Sequence, residues 1–175
     1  MTTAKELLAL QLAGAFEGRP DMPLMASLEG ITEAEALWRP AADAPTAEEI
    51  VRHIAWSKNR FCQQAFGVEM VIVDPAVSPE GEAAGVPWEF PCGCAWGRSS
   101  HPGIAGAVEL LRRAHDVMTR CLEGLPADRL DEPLDVPHGK SAVNFFWTMI
   151  MHDVFHAGQI RTRRTAANTA AKAGG

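Results

Sequence analysis

The sequence has no surplus of positive charge and no apolar run long enough to cross a membrane. Its 22 acidic residues outnumber its 16 basic ones, which gives a formal net charge of −6. Proteins that bind nucleic acid generally need a basic face. The N-terminal segment also lacks the basic start and the cleavage signature of a secretory signal peptide. We therefore predict a cytoplasmic protein that associates with neither nucleic acid nor membranes.

Cysteine is scarce, and its spacing does not indicate a zinc knuckle. Of the 4 cysteines, only Cys92 and Cys94 lie close together in the sequence, as a CxC pair. Such a pair can bind metal or take part in redox chemistry, but no second pair matches it. We therefore favour two loop thiols beside aromatic side chains. Because cytosolic thiols are normally reduced, no disulfide framework is expected.

Hydrophobic residues recur at helical spacing in four segments, and no segment shows a convincing strand pattern. The second helix has the clearest start, because Thr46 and Glu49 have the spacing of a capping box. Nearly the whole circumference of the fourth helix is apolar, which indicates burial on more than one side. The predicted helices run from about residue 3 to 16, from 46 to 67, from about 100 to 124, and from 141 to about 167.

Residues 68–100 interrupt the helical pattern with repeated prolines and glycines. A short strand at 68–73 is the one regular element that this stretch suggests. Long loops inside compact domains are uncommon and often functional, and this one carries Trp88 and Trp96 near the two loop cysteines. The prediction is an all-α four-helix bundle, one domain over residues 1–175, with a long irregular excursion between helices 2 and 3.

His152 and His156 are four residues apart in the predicted last helix, so their side chains are neighbours on one helical face. Two such imidazoles can converge on one metal ion, and a catalytic zinc usually has three protein ligands plus water. The pair is not a zincin motif, because Asp153 stands where HExxH proteins have glutamate. His53, in the second helix, is the natural third ligand. Spacing alone leaves open both a metal site and packed, hydrogen-bonded histidines.

Three segments of the sequence resemble the DinB/YfiT-like family of four-helix-bundle metalloenzymes. They are "LEGITEAEALWRP" before the second helix, "TAEEIVRHIAW" within it, and "HDVFHAGQIRTRR" in the last helix. In that family one histidine of the second helix and an HxxxH pair of the last helix bind a divalent metal. The resemblance therefore implies that His53, His152 and His156 are metal ligands, with zinc or nickel as the expected metal.

The resemblance also implies a class of activity. Characterised members include thiol-dependent S-transferases and a mycothiol-dependent maleylpyruvate isomerase, in which the metal activates a low-molecular-weight thiol. We therefore expect a metal-dependent transferase that acts on a small-molecule substrate with a thiol cofactor. A metal-dependent hydrolase and a non-catalytic metal-binding stress-response protein remain as alternatives. Family members are often homodimers, and the apolar fourth helix favours the same assembly here.

Three other residues, His115, Asp153 and Gln159, bear on the predicted site. His115 falls on an apolar stripe of the third helix, so we predict a core histidine rather than a ligand. Asp153 and Gln159 flank the histidine pair, and either can orient a ligating ring by accepting its other N–H. For Asp153 a position facing solvent or between helices is the simpler interpretation.

Overall fold

The computed structural model of the chain describes residues 2–18, 23–42, 44–69, 103–134 and 141–173. Regular structure within these ranges is helical, and they contain no strand, so the predicted all-α fold is confirmed. None of the helices in these ranges combines the length and the apolar character needed to span a membrane. The helices are α1 (Ala4–Phe16), α2 (Leu24–Leu28), α3 (Glu33–Leu37), α4 (Ala47–Phe66), α5 (Gly103–Gly124) and α6 (Ala142–Ala173), with a 3-10 turn at Ala127–Arg129.

Local sequence signals explain where α1, α3 and α4 begin. Each follows a threonine whose hydroxyl accepts from the backbone N–H three residues later, while a glutamate at that position accepts from the threonine N–H. This reciprocal capping satisfies two N–H groups that a helix start leaves unpaired. At its other end α4 stops at Gly67, which adopts the left-handed conformation at φ 66°, where a side chain would be strained.

The last helix continues beyond the predicted end. It was expected to stop near Ala167, whereas α6 extends to Ala173. The additional residues include several alanines, which have the highest helix propensity, and no glycine or proline lies between Ala167 and Gly174. Their side chains are exposed, so the extension reflects local preference rather than packing.

The core has two halves, one near each end of the bundle. One half brings together the N-terminal part of α4, the N-terminal part of α5 and the C-terminal part of α6, represented by Ile54, Leu111 and Ile160. The other half joins the opposite ends of the same helices and includes Met118 and Phe145. Helices α4 and α5 therefore run parallel to each other, and α6 runs antiparallel to both.

This arrangement has a consequence for chain connectivity. A helix of 20 residues, the length of α4, is about 30 Å long. Since α4 and α5 are parallel, the connection between them must return from the end of α4 to the level of its beginning. A short turn cannot do so, which gives a topological reason for the long insertion at this place. The predicted excursion itself, apart from residues 68 and 69, lies outside the described residues.

Candidate metal centre

The three histidines singled out in the sequence meet in space. His53 lies in the second turn of α4, and His152 and His156 lie on the facing side of α6. The Nε2 atom of His152 is 3.0 Å from that of His53 and 3.1 Å from that of His156. One ring nitrogen from each side chain lies within 4.8 Å of the other two. The antiparallel packing of α4 and α6 thus brings together side chains about a hundred residues apart.

The spacing of these nitrogens suits a metal ion. In a tetrahedral site with bonds of 2.0–2.1 Å, two ligand nitrogens are about 3.3 Å apart, close to both distances seen here. When two Nε2 atoms face each other, at most one of them carries a proton at that position. The other directs its lone pair into the cluster, as a metal ligand does. Within the described residues no cysteine, aspartate or glutamate side chain joins the group. Three imidazoles without a fourth protein ligand are typical of metal sites that keep a position open.

Hydrogen bonds at the opposite nitrogens orient two of the rings. The Oε1 atom of Gln159 accepts from Nδ1–H of His156 at 2.7 Å, which leaves the Nε2 of that ring with a free lone pair. The Nδ1 atom of His53 lies 3.4 Å from the hydroxyl of Ser57. The Nδ1 atom of His152 is buried and has no hydrogen-bond partner among the described residues. The proposed role of Gln159 in orienting a ring therefore agrees with its contact.

Burial keeps the three rings neutral. It is the largest cause that lowers the pKa of His53 to about 3, and the neighbouring His156 lowers that pKa further. The pKa of His152 is lowered well below its usual value by burial and then by His156, His53 and Lys58. Burial also lowers the pKa of His156, partly opposed by its bond to Gln159. Because only the neutral ring can ligate, all three are ready to bind metal at neutral pH.

A buried ion pair lies beside the cluster. Lys58 and Asp153 are both fully buried, and the lysine ammonium donates to the Oδ2 atom of Asp153 at 2.7 Å. Asp153 therefore lies between helices and does not face solvent. Sequence reasoning missed Lys58, because a lysine within an amphipathic helix is normally exposed. The sequence did hold one signal of this burial: Lys58 follows Ile54 by four residues and so lies on the apolar stripe of α4.

His115 is buried in the core, as predicted, and does not belong to the three-histidine group. Its ring stacks on Phe16 with centroids 3.6 Å apart and an interplanar angle of 4°. Its Nδ1 atom lies 3.5 Å from the ammonium of Lys58. The ring therefore packs against α1 and contacts the buried ion pair from the side of α5. Trp88, Trp96 and the CxC cysteines lie outside the described residues.

Comparison with known proteins gives one match. The family model of the DinB superfamily matches residues 19–160, a range that includes all three histidines and most of the bundle. No curated protein and no solved structure matches the sequence. The match covers well over half of the chain, and it agrees with the helical fold and with the resemblance seen in the sequence motifs. The chain belongs to the DinB superfamily.

Proposed function

We propose that this protein binds a divalent metal, zinc or nickel, through His53, His152 and His156. The observation that supports the proposal is the convergence of three neutral ring nitrogens from two helices, at distances close to those of a tetrahedral site. His53 and His156 are almost completely buried, whereas His152 keeps part of its surface accessible. His152 is therefore the most accessible of the three proposed ligands.

We further propose that the protein is a transferase that uses a low-molecular-weight thiol to attack a small electrophilic substrate. A divalent metal supplies the positive charge that lowers the pKa of a coordinated thiol, and the thiolate is the reactive nucleophile. The chain contributes neutral ligands that leave this charge undiminished. Gln159 holds a proton on Nδ1 of His156, so that its Nε2 stays available.

The test compares thiol transfer with hydrolysis in the same preparation. Metal-loaded protein is incubated with a model electrophile together with one thiol, which is glutathione, cysteine or mycothiol in separate reactions. Thioether formation is followed by mass spectrometry. We expect product only when both metal and one thiol are present, and none after chelation. The transferase proposal fails if no thiol gives a thioether and the protein hydrolyses an ester or amide in the absence of thiol. The metal-dependent hydrolase would then take its place.

A homodimer is also proposed. On α6 the side chains of Trp147, Met151 and Phe155 recur every four residues and are each about half exposed, and Leu7 and Leu10 on the adjacent α1 are exposed as well. Exposed apolar residues that are contiguous on a surface usually mark a contact with another molecule. The sequence-based expectation of a dimer and this surface favour a second copy of the chain as the partner.

A further inference from the structure

Two cysteines that play no part in the histidine group contact each other across the α4–α5 interface. Cys62 is near the C-terminus of α4, and Cys121 is near the C-terminus of α5. Both side chains pack in the same half of the core, where each thiol shifts the pKa of the other, and neither takes part in a disulfide. The parallel direction of the two helices brings them together, as it brings Lys58 to Met118 about one turn earlier. Two neighbouring thiols, one of them buried, are the starting arrangement for a reversible disulfide.

The two thiols have different surroundings. Cys62 is fully buried, whereas Cys121 is partly exposed and lines a cavity of about 500 Å³, together with Arg120 and Arg129. The hydrogen bond from Cys62 lowers the pKa of Cys121, and Arg120 lowers it further, against the effect of partial burial. The same hydrogen bond, together with burial, raises the pKa of Cys62. Of the two thiols, Cys121 thus has the lowered pKa and the access that reactive cysteines require.

We propose that Cys62 and Cys121 form a redox-active dithiol that reduces hydroperoxides, with Cys121 as the attacking thiol and Cys62 as the resolving thiol. The cavity admits a small hydroperoxide to Cys121, and Arg120 and Arg129 line the same cavity, where their positive charge favours the negative charge that develops on the leaving oxygen. Cys62 is shielded from the peroxide but adjacent to Cys121. This division into an accessible thiol and a buried partner is typical of cysteines that oxidise reversibly.

The reaction balances in two steps. The Cys121 thiolate attacks one peroxide oxygen, so that an S–O bond forms, the O–O bond breaks and the alkoxide leaves as an alcohol after taking a proton. Cys62 then attacks the sulfur of Cys121, the S–O bond breaks, and hydroxide leaves as water with the proton of Cys62. Two thiols are oxidised to one disulfide, and the hydroperoxide is reduced to an alcohol and water. Neither step uses the histidine group.

The experiment treats the full-length protein with a small molar excess of hydrogen peroxide in the presence of a chelator. A Cys92→Ser/Cys94→Ser variant leaves Cys62 and Cys121 as the two cysteines of the chain. Wild-type protein is analysed in parallel by peptide mapping after cleavage at glutamate. This cleavage places Cys62 and Cys92 on different peptides, because Glu69 and Glu89 lie between them. We expect the loss of two alkylatable thiols, a mass decrease of about 2 Da for two hydrogens, and full reversal by dithiothreitol. The linked peptides should contain Cys62 and Cys121.

A second variant distinguishes a resolving thiol from a neighbour without function. With Cys62→Ser added, the disulfide should disappear and Cys121 should accumulate as a sulfenic acid that dimedone traps. With Cys121→Ser instead, peroxide should leave Cys62 alkylatable. The proposal is overturned if both thiols of the wild type stay free after treatment, if the disulfide joins only Cys92 and Cys94, or if Cys121 gives no dimedone adduct. Failure here leaves the metal proposal untouched, since the assay contains no free metal.

Discussion

Within the histidine group, the contact that most directly controls a single ligand is the hydrogen bond between Gln159 and His156. It fixes which nitrogen carries the proton and holds the ring against α6 at a donor–acceptor distance of 2.7 Å. The same one-turn spacing was visible in the sequence, where Gln159 follows His156 by three residues. What the sequence did not contain was the position of His53 opposite this pair, which depends on how α4 packs across the interface.

Gln159→Leu removes the acceptor while keeping a side chain of similar size. We expect metal affinity to fall about 10–100-fold, the usual effect of losing such an outer contact. Competition against a chromophoric chelator measures it. Gln159→Glu is the matched control, since a carboxylate oxygen still accepts from Nδ1–H and affinity should be retained. Equal affinity of the leucine variant and the wild type would show that the bond does not orient the ligand.

His115 gives a prediction about pH and stability. Burial, and then the nearby Lys58, lower its pKa from 6.5 to about 3 in the folded protein. As pH falls below about 6.5 the unfolded chain takes up a proton that the folded chain does not, so acidification destabilises the fold. The contribution is about 1.4 kcal/mol per pH unit for one proton. It applies between about pH 6 and pH 4, within the interval bounded by the two pKa values.

Denaturant unfolding of wild type and His115→Gln at several pH values, in metal-free buffer, measures this contribution. Between pH 6 and pH 4 the free energy of unfolding of the variant should fall less steeply with decreasing pH than that of the wild type. The difference in slope should correspond to about one proton. The three histidines of the candidate site contribute equally to both proteins and cancel in the comparison. Parallel curves for the two proteins would mean that His115 titrates normally in the folded state.

At the scale of elements, the buried pair of Lys58 and Asp153 joins α4 to α6 next to the histidine group. The lysine ammonium is also 3.9 Å from the sulfur of Met118 and 5.7 Å from the centre of the Phe16 ring. These contacts involve all four long helices of the described structure. A charge so enclosed is tolerated only while its partner is present, because burying an unpaired ion costs several kcal/mol.

Lys58→Met should therefore destabilise the protein by about 3–5 kcal/mol, since it leaves the Asp153 carboxylate buried without its cation. Removing both charges, in Lys58→Met/Asp153→Leu, should recover most of that loss. Urea unfolding at pH 7 measures the free energies of the wild type, both single variants and the double variant. If the loss of unfolding free energy in the double variant equals the sum of the losses in the two single variants, the pair is not coupled and this account of the interface is wrong.

The helices themselves were largely predictable, and their arrangement was not. Capping signals at Thr46 and Gly67 are local, so they give the limits of α4 from sequence alone. The helix α6 extends past its predicted end because the alanine-rich tail has a high helix propensity of its own. The burial of Lys58 depends on a partner 95 residues away in the chain, and no local pattern reveals such a contact. The family resemblance favoured a metal site at His53, His152 and His156, where spacing alone left packed histidines as an alternative.

At the scale of the whole molecule, the apolar side of α6 predicts assembly. Multi-angle light scattering at micromolar concentration should give twice the chain mass of 18.9 kDa. Trp147→Glu places a charge in the middle of the proposed contact and should shift the protein to monomer without unfolding it. Leu37→Glu changes an exposed leucine on α3 and should leave the dimer intact. A monomeric wild type would remove the homodimer from the account.

The central claim is that His53, His152 and His156 bind one divalent metal, and metal stoichiometry tests it most directly. Apoprotein is loaded separately with zinc and with nickel, freed of excess by gel filtration and analysed by inductively coupled plasma mass spectrometry. Wild type should retain about one ion per chain, as should His115→Gln, which alters a buried histidine outside the group. His53→Ala, His152→Ala and His156→Ala should each lose most of the metal while keeping their helical circular dichroism. Full occupancy in a folded His152→Ala variant would contradict the claim.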